Sequence, residues 1–463
     1  MAVEKLYEGN IRKKYVFYTI PLILTTLLNH SYTLINAMMI GKFLGSGAFA
    51  ATSATGPLID FFSSALWGYH TGVAIYVAIL FGKSDYGKML NVIKMNLLIM
   101  SAFSILTGLC CNIFYKPIFN LLNISPELSP NAYAYFGTYM MGIVVLQMNW
   151  AFSYIAHGLG VTKLPLLASF FSGILNVLGN YIFLSVMDLG VQGCALSTII
   201  SSAAVCTIYV VSYVRIFHSM GVRLRGFSWD IPELKKSIGY ALPTTTQQLA
   251  MTAGTAIISP LINTCGTAAI AGYDIAAKAR NILVHIYQSS NKAITNFIAQ
   301  AMGAKKIEKI HQGIKIGITQ TMCFFLPVMV AFIIFARPFV ELFLDTAKDE
   351  ASINYSVNII RFLLPFITFN VLNNMFHGIF RATGSGMLML ISTAIYSVAM
   401  IISSYTMYFL VSESFRLYGV YIGFAIAWIT EATFAAIVFA SGRWKSEEYK
   451  KMEAERKMRT NAV

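Results

Sequence analysis

Charged residues are scarce in this sequence. Lysine, arginine, aspartate and glutamate make up 12% of its 463 residues, whereas apolar residues make up 57%. Soluble domains carry about 25% charged residues, and a chain with so few cannot cover its apolar surface in water. Several apolar runs reach about 20 residues, which is the length that crosses a bilayer. The composition therefore excludes an ordinary soluble protein and predicts an integral, polytopic membrane protein.

Motifs for metals, nucleotides and covalent catalysis are also missing. The six cysteines lie in or beside apolar runs without any Cys-x-x-Cys pair, so neither a disulfide framework nor a zinc site is indicated. The sequence has no complete G-x-x-x-x-G-K-S/T phosphate-binding loop, which argues against ATP-driven transport within this chain. It has no nucleophile elbow either. We therefore expect a protein that is not an enzyme and needs no cofactor or metal.

Acidic residues are fewer than basic ones, 20 against 34, and the net charge is +14. Such an excess can indicate nucleic-acid binding, but here the basic residues lie between the apolar runs and at the two ends. That distribution is typical of cytoplasmic loops that face an anionic leaflet. We therefore predict a monomeric, multi-pass plasma-membrane protein with both termini in the cytoplasm, in contact with the lipid bilayer and not with nucleic acid.

Hydropathy predicts an all-α protein of about twelve transmembrane helices. The predicted spans are 14–40, 47–80, 89–112, 131–158, 161–186, 190–217, 238–264, 267–302, 310–335, 352–381, 384–411 and 416–442. The longest basic connection divides them into two sets of six. The predicted domains are an N-terminal lobe at 1–220, a cytoplasmic linker at 221–237, a C-terminal lobe at 238–442 and a basic cytoplasmic tail at 443–463.

The two halves of the sequence resemble each other. Each begins with a proline early in its first span, Pro21 and Pro243, and LGSGAFAATSA can be laid on CGTAAIAGYDI. VQGCALSTII matches YIGFAIAWIT around Gly193 and Gly423. Repeated halves are typical of transporters in which a pseudo-symmetric bundle encloses a central cavity and opens it alternately to the two sides.

Five short motifs occur in a characteristic order. They are MMIGKFLGSGAFAATSATGPL, HGLGVTKLPLL, ILNVLGNYIFL, LGVQGCALST and QAMGAKKIEK. With these motifs the chain resembles the multidrug and toxic compound extrusion (MATE) family of the MOP flippase superfamily over nearly its whole length. The resemblance implies a V-shaped pair of six-helix lobes. It also implies export of amphipathic compounds, driven by the inward movement of protons or sodium.

The sequence departs from that family at the N-terminal cation site. In similar bacterial members an aspartate closes the polar face of the first helix, and a second follows an asparagine by four residues in the fifth. Here these positions are Asn36 and Asn180. Asn176, Thr198 and the backbone at Cys194 match the family pattern. The resemblance therefore implies a small polar site that has kept its geometry and lost its formal charge.

An amide changes what this site can do. It offers one carbonyl oxygen and two N–H donors, and it does not titrate near neutral pH. Neutral oxygens can still hold a hard cation weakly, but they cannot act as a protonation switch. Alternatively, the three asparagines only form hydrogen bonds between helices, as polar residues in membrane bundles commonly do. The coupling ion, H⁺ or Na⁺, stays open.

Four ionisable residues within the spans are candidates for proton coupling: Asp60, Asp274, His285 and Glu431. Ionised groups at bilayer depth are costly, so they usually face the interior of the bundle, where they pair or titrate. Histidine titrates nearest physiological pH. The alternatives are an interior ion pair or, for Asp60, a position near the membrane interface.

The eighth predicted span carries a polar stripe. Its members, spaced by three or four residues, are Asp274, Lys278, Asn281, His285, Gln288 and Lys292. At 3.6 residues per turn they share one face of a helix, which should face water, substrate or another polar helix. Alternatively, the stripe forms an interhelical network in which Asp274 pairs with Lys278.

Other spans carry similar polar faces. Further candidates for the lining of a substrate cavity are Asn29, Tyr32, Gln248, Asn374 and His377. Because the second half offers more basic than acidic groups, we expect small-molecule substrates that are neutral, zwitterionic or anionic. Two other functions stay open, namely a flippase for lipid-linked saccharides from the same superfamily and a passive channel.

Overall fold

The computed structural model describes residues 5–122, 124–222, 224, 226–343 and 350–461. Within these ranges the chain is helical and contains no strand, so the predicted all-α class is confirmed. Arg223 and Arg225 of the predicted linker lie outside the described residues.

Fifteen α-helices are described. Their bounds are α1 Ile11–Gly82, α2 Tyr86–Ile113, α3 Tyr115–Leu121, α4 Ser129–Met141, α5 Ile143–Gly158, α6 Lys163–Tyr181, α7 Gly190–Ser219, α8 Ile231–Asn263, α9 Thr267–Gly303, α10 Ile307–Ile334, α11 Ala336–Glu341, α12 Glu350–Ala382, α13 Gly386–Leu410, α14 Arg416–Ala440 and α15 Glu447–Asn461. A π-helical turn, Ile182–Val186, continues α6, and a 3₁₀ turn, Glu413–Phe415, precedes α14.

The first helix, α1, contains two predicted spans. Gly45 has φ 83° and ψ 178°, which is not a helical conformation, and it separates residues 11–44 from residues 46–82. Positive φ is strained for residues with a side chain and open to glycine. A Cβ at Gly45 would meet nothing within 4 Å, so the conformation of the backbone, not lack of space, calls for glycine here.

Eight helices of the described chain are long and apolar enough to cross a membrane, or nine if α4 and α5, which are bent by 52°, form one span. This set counts α1 as a single span. Since the break at Gly45 divides α1 into two helical segments, it adds one more span to the set. The more polar helices α8 and α9 coincide with the predicted spans 238–264 and 267–302. Each of the twelve predicted spans thus corresponds to a helix or to a broken pair of helices.

The chain forms two compact units. The N-terminal unit comprises Met1–Glu8 and Ile20–Ala241, and the C-terminal unit comprises Gly9–Thr19 and Leu242–Val463. The unit boundaries therefore lie two residues before Pro21 in α1 and two residues before Pro243 in α8. Proline lacks the N–H that closes a helical hydrogen bond. Each of these two helices therefore lacks one such bond close to the residue at which one unit ends and the other begins.

Close helix packing in the C-terminal unit places α14 against α12 and α13. At Gly423 of α14 a Cβ would lie 2.5 Å from the Cα of Ser404 in α13, so only glycine fits this contact. Small residues at such contacts let membrane helices approach closely. The apolar core around them includes Phe424, Trp428 and Val420. The face of α14 that carries Glu431 is thereby buried against its neighbours.

Candidate functional site

In the N-terminal unit, three helices bring the predicted asparagines together. Asn180 of α6 donates from Nδ2 to Asn36 Oδ1 of α1 at 2.5 Å and to Asn176 Oδ1 at 3.5 Å. Asn176 Nδ2 donates to Thr198 Oγ1 of α7 at 3.1 Å, and this hydroxyl donates to the carbonyl of Cys194 at 3.1 Å. We call Asn36, Asn176, Asn180 and Thr198 the amide cluster.

Burial makes the amide cluster a defined site. Asn176 and Asn180 are 1% and 0% exposed. The Oδ1 atom of Asn180 is buried and makes no hydrogen bond to any described residue. Buried polar atoms are nearly always paired, so an unpaired carbonyl oxygen indicates a place for a water molecule or a weakly held cation. All four side chains of the cluster are neutral, and none of them can take up a proton near neutral pH.

In the C-terminal unit, a buried acid meets a buried histidine. Glu431 of α14 is 4% exposed and His377 of α12 is 2% exposed. The distance from His377 Nε2 to Glu431 Oε1 is 3.6 Å. Gln247 Nε2 of α8 lies 3.0 Å from His377 Nδ1, and the Asn373 side chain lies close enough to the Glu431 carboxylate to interact with it. We call Glu431 and His377 the acid–histidine pair.

The partners of this pair determine where its proton can lie. An amide nitrogen is only a donor, so His377 Nδ1 accepts from Gln247. The other ring nitrogen, Nε2, then carries the hydrogen when the imidazole is neutral, and it faces Glu431. A carboxyl group and an imidazole placed in this way can exchange a proton with little movement of the backbone.

A second polar network in the C-terminal unit joins α9 to α12. Arg381 donates from Nη2 to Asn291 Oδ1 at 2.8 Å, and Asn291 Nδ2 donates to the carbonyl of Asn374 at 2.5 Å. Asn374 Nδ2 also bonds Oδ1 of Asn370 at 2.9 Å, and Asn370 Nδ2 donates to the hydroxyl of Tyr287 at 3.0 Å. The predicted residue Asn374 therefore has a role in holding two helices together.

The predicted stripe of α9 changes in burial along the helix. Asp274 and Lys278 are exposed, whereas Asn281, His285, Gln288 and Lys292 are half-buried. The Lys278 ammonium lies 5.4 Å from the centre of the Phe343 ring. In the described chain Lys278 makes no ion pair with Asp274, so the alternative pairing at this spacing is not found.

The remaining predicted residues are more accessible than the acid–histidine pair. Asp60 of α1 is exposed, and Tyr135 and Tyr139 lie close enough to interact with its charge. The predicted cavity residues Asn29, Tyr32 and Gln248 are half-buried. Among the four proton-coupling candidates, Glu431 is the acid that is buried and directly opposed by a titratable partner.

Three residues of this region were not among those predicted. Gln247 contacts His377 where Gln248 was expected to face the cavity, and Asn373 contacts Glu431. The four-residue spacing of Asn373 and His377 was a usable signal, because it places them on one helical face. The third residue, Arg280 of α9, lies off the predicted stripe among several tyrosines.

Comparison with known families identifies one match. The family model MatE matches residues 21–182 and 243–406. Among curated proteins, the Probable multidrug resistance protein YpnP of Bacillus subtilis (strain 168) is 24% identical over 445 residues, which is 95% of this chain and 97% of that protein. The Multidrug export protein MepA of Staphylococcus aureus (strain N315) is 22% identical over 397 residues, 83% of this chain and 85% of that protein.

Solved structures with the same fold cover almost the whole chain. A MOP superfamily transporter from Pyrococcus furiosus Vc1 (DSM3638), in which reverse polarity of the binding pocket suggests a different function, superposes with a TM-score of 0.86 at 21% identity over 97% of both chains. The outward-facing conformation of a multidrug resistance MATE family transporter gives 0.84 at 21% identity over 98% of both chains. At this identity the likeness establishes the fold.

Proposed function

The chain belongs to the MatE family, and on this premise we propose that it is a secondary active transporter that exports small amphipathic molecules in exchange for cations. Members of this family are membrane transporters and not enzymes. The names of the two curated relatives, a multidrug resistance protein and a multidrug export protein, support export as the direction. Exchange would proceed by alternating access of one cavity to the two sides of the membrane.

One observation carries the proposed coupling mechanism: the amide cluster is neutral, whereas the acid–histidine pair is titratable and buried. Asn36 and Asn180 stand where the resemblance implies carboxylates, and their hydrogen bond at 2.5 Å preserves a link between α1 and α6. Glu431 and His377 lie 3.6 Å apart with 4% and 2% of their surfaces exposed. We therefore assign the coupling proton to the C-terminal unit and only weak cation or water binding to the amide cluster.

The proposed substrates are neutral, zwitterionic or anionic. The polar stripe of α9 contributes Lys278, Lys292 and His285 against one acid, Asp274. Cavities that bind lipophilic cations are expected to carry acids and aromatic rings. The reverse polarity of the binding pocket in the Pyrococcus furiosus structure supports the view that this fold accommodates such a change. We further propose a monomer in the plasma membrane with cytoplasmic termini and no cofactor besides the coupling ion.

The test is flux in proteoliposomes with proton and sodium gradients imposed separately. The probes are ethidium, dansylglycine and dansylglycine methyl ester, which are cationic, anionic and neutral. We expect uphill movement of dansylglycine, of its ester or of both when a proton gradient is imposed, and none with sodium alone. Equilibration without accumulation would instead indicate a channel. Movement of a labelled lipid-linked saccharide without movement of the probes would indicate a flippase.

A further inference from the structure

Arg280 lies within the predicted span 267–302 and has no counter-ion among the described residues. It lies thirteen residues after Thr267, the first residue of α9, which places it about 20 Å along the helix. Its side chain is half-buried, and among the described residues it makes no hydrogen bond and no ion pair. A guanidinium group offers five donors and is always charged. Within a membrane such a group needs acceptors, which must come from water or from a ligand.

Several tyrosines lie near the Arg280 guanidinium. Four of them, from α9, α13 and α14, lie close enough to interact with its charge: Tyr273, Tyr287, Tyr396 and Tyr421. All belong to the C-terminal unit. Tyr273 and Tyr421 are stacked, with ring centres 5.9 Å apart and an interplanar angle of 27°. The neighbourhood of the cation is therefore rich in aromatic rings that carry hydroxyl groups.

One of these hydroxyl groups is also unpaired. Tyr421 is 1% exposed, yet its hydroxyl makes no hydrogen bond to any described residue. In contrast, the Tyr287 hydroxyl accepts a hydrogen bond from Asn370 at 3.0 Å, and the Tyr396 hydroxyl lies near the Trp428 side chain. A buried hydroxyl is nearly always hydrogen-bonded in a native protein. Arg280 and Tyr421 thus both carry hydrogen-bond donors that no described residue accepts from.

The nearest buried acid does not neutralise Arg280. Glu431 lies close enough to interact with Tyr287 and Tyr396, but its carboxylate faces His377 Nε2 at 3.6 Å. Asp274, which lies near Tyr421, is exposed. The neighbourhood therefore has one uncompensated positive charge, one unpaired hydroxyl group and several aromatic rings. An oxyanion attached to an apolar body has the complementary chemistry, because a guanidinium binds a carboxylate with two parallel hydrogen bonds.

We propose that Arg280 and Tyr421 bind the carboxylate of an aromatic or otherwise apolar organic acid, whose body packs against the surrounding tyrosines. This inference rests on the proposed function, since it names the substrate class of the C-terminal unit. It differs from the predicted stripe, because Arg280 lies on another face of α9 from Lys278 and Lys292.

Binding to the full-length protein in lipid nanodiscs tests the proposal without any ion gradient. The probes are dansylglycine and its methyl ester, which share the aromatic body and differ in the charge of the carboxylate. We expect the wild-type protein to bind the acid about tenfold more tightly than the ester, as for one charge-assisted hydrogen-bonded pair. Arg280→Gln should reduce this ratio to about one, and Tyr421→Phe should lower it by a smaller factor.

Two further variants keep the result interpretable. Arg280→Lys retains the charge and loses the forked geometry, so it should retain part of the preference for the acid. Arg361→Gln removes an exposed arginine from α12 in the same unit and should leave the ratio unchanged. Equal wild-type affinity for acid and ester, no binding of the acid, or an unchanged ratio in Arg280→Gln would each overturn the assignment. Because no gradient is used, failure of proton or sodium antiport would leave this result intact.

Discussion

The two units hold their buried polar groups in different ways. In the N-terminal unit, two hydrogen bonds join three neutral amides. Asn180 donates to Asn36 at 2.5 Å and to Asn176 at 3.5 Å. In the C-terminal unit, Glu431 and His377 face each other at 3.6 Å, and both can change charge. An amide has nearly the shape of a carboxylate and can replace its acceptor oxygen, so a hydrogen-bond network can survive the loss of charge. The two units therefore bury polar groups of different chemistry, neutral in the N-terminal unit and titratable in the C-terminal unit.

The largest expected effect comes from removing the titratable group of the C-terminal unit. Glu431→Gln keeps the side-chain shape and one acceptor oxygen but cannot release a proton. We expect proton-driven flux of the transported probe to fall to the level of protein-free liposomes. A pH jump on the detergent-solubilised protein should at the same time release one proton fewer than in the wild type.

The matched control is Glu447→Gln in the C-terminal helix α15, where the side chain is 82% exposed and pairs with Lys450. This variant should transport at the wild-type rate. If Glu431→Gln retained full proton-driven flux, the acid–histidine pair would be structural and the contrast between the units would lose its functional meaning.

The second-largest expected effect is a gain of sodium binding at the amide cluster of the N-terminal unit. Asn180→Asp combined with Asn36→Asp places two carboxylates where two amides now lie 2.5 Å apart. Two such groups share a proton or require a cation between them. We expect sodium to stabilise this variant against thermal unfolding by about 1.4 kcal/mol for each tenfold excess over its dissociation constant. Flux should also become dependent on sodium or pH.

A single asparagine outside the amide cluster supplies the control for this gain. Asn149 of α5 is half-buried in the same unit and donates to Ser202 Oγ at 3.5 Å. Asn149→Asp should show no response to sodium. Equal responses of the two variants would mean that any buried carboxylate in this unit binds sodium, and that the amide cluster is not a former cation site.

Helix positions were predictable because they follow from long apolar runs. The spans 89–112 and 267–302 differ by only a few residues from α2, Tyr86–Ile113, and α9, Thr267–Gly303. The break between α4 and α5 was not predicted, since span 131–158 is one apolar run. A Cβ at Gly142 would lie 2.2 Å from Cδ1 of Ile199 in α7. The bend thus accompanies a tertiary contact that no local pattern records.

The candidate site was predictable where the family resemblance fixed a register. The family itself is confirmed, the three predicted asparagines are linked by hydrogen bonds, and Asn176 also bonds Thr198. In α8, by contrast, Gln247 and Gln248 are adjacent and differ by about 100° of rotation, so periodicity alone does not decide which one faces His377. Arg280 was not predicted because its importance depends partly on Tyr396 and Tyr421, which α13 and α14 contribute.

The third effect compares packing at two glycines that the repeats place at matching positions. In the C-terminal unit, a Cβ at Gly423 would lie 2.5 Å from the Ser404 backbone, whereas at Gly193 of the N-terminal unit it would lie 2.8 Å from the Cβ of Phe183. Forcing a methyl group into such contacts costs about 1–3 kcal/mol. We expect Gly423→Ala to lower the midpoint of thermal unfolding more than Gly193→Ala, because backbone yields less than a side chain.

Gly47→Ala is the control for both glycine variants, since a Cβ there would meet nothing within 4 Å. It lies in α1 without positive φ, so alanine should be neutral or slightly stabilising. A larger loss at Gly193 than at Gly423 would reverse the proposed order of packing tightness in the two units.

The smallest expected effect is a pH dependence at the start of α8, ahead of its predicted span. Burial of Glu233 by itself raises the pKa of its carboxyl, but hydrogen bonds from Lys236 and Tyr76 and the charges of Lys236 and Lys88 outweigh burial and lower that pKa. A lowered pKa means that the folded state prefers the carboxylate. Its stabilising contribution is therefore complete above the unfolded pKa of about 4.3 and is lost as the pH falls through the lower folded value.

Thermal unfolding midpoints at neutral pH and near pH 4 measure this contribution. Glu233→Gln should lower the unfolding midpoint slightly at neutral pH and reduce the further fall of the midpoint between neutral pH and pH 4. Tyr76→Phe should act in the same direction, because it removes one of the two hydrogen-bond donors to Glu233. Glu308→Gln, at a carboxylate that is 69% exposed beside Arg456, should leave the acid slope as in the wild type. If Glu233→Gln kept the full slope, the acid sensitivity would come from other carboxylates and this contact of the N-terminal unit would not depend on charge.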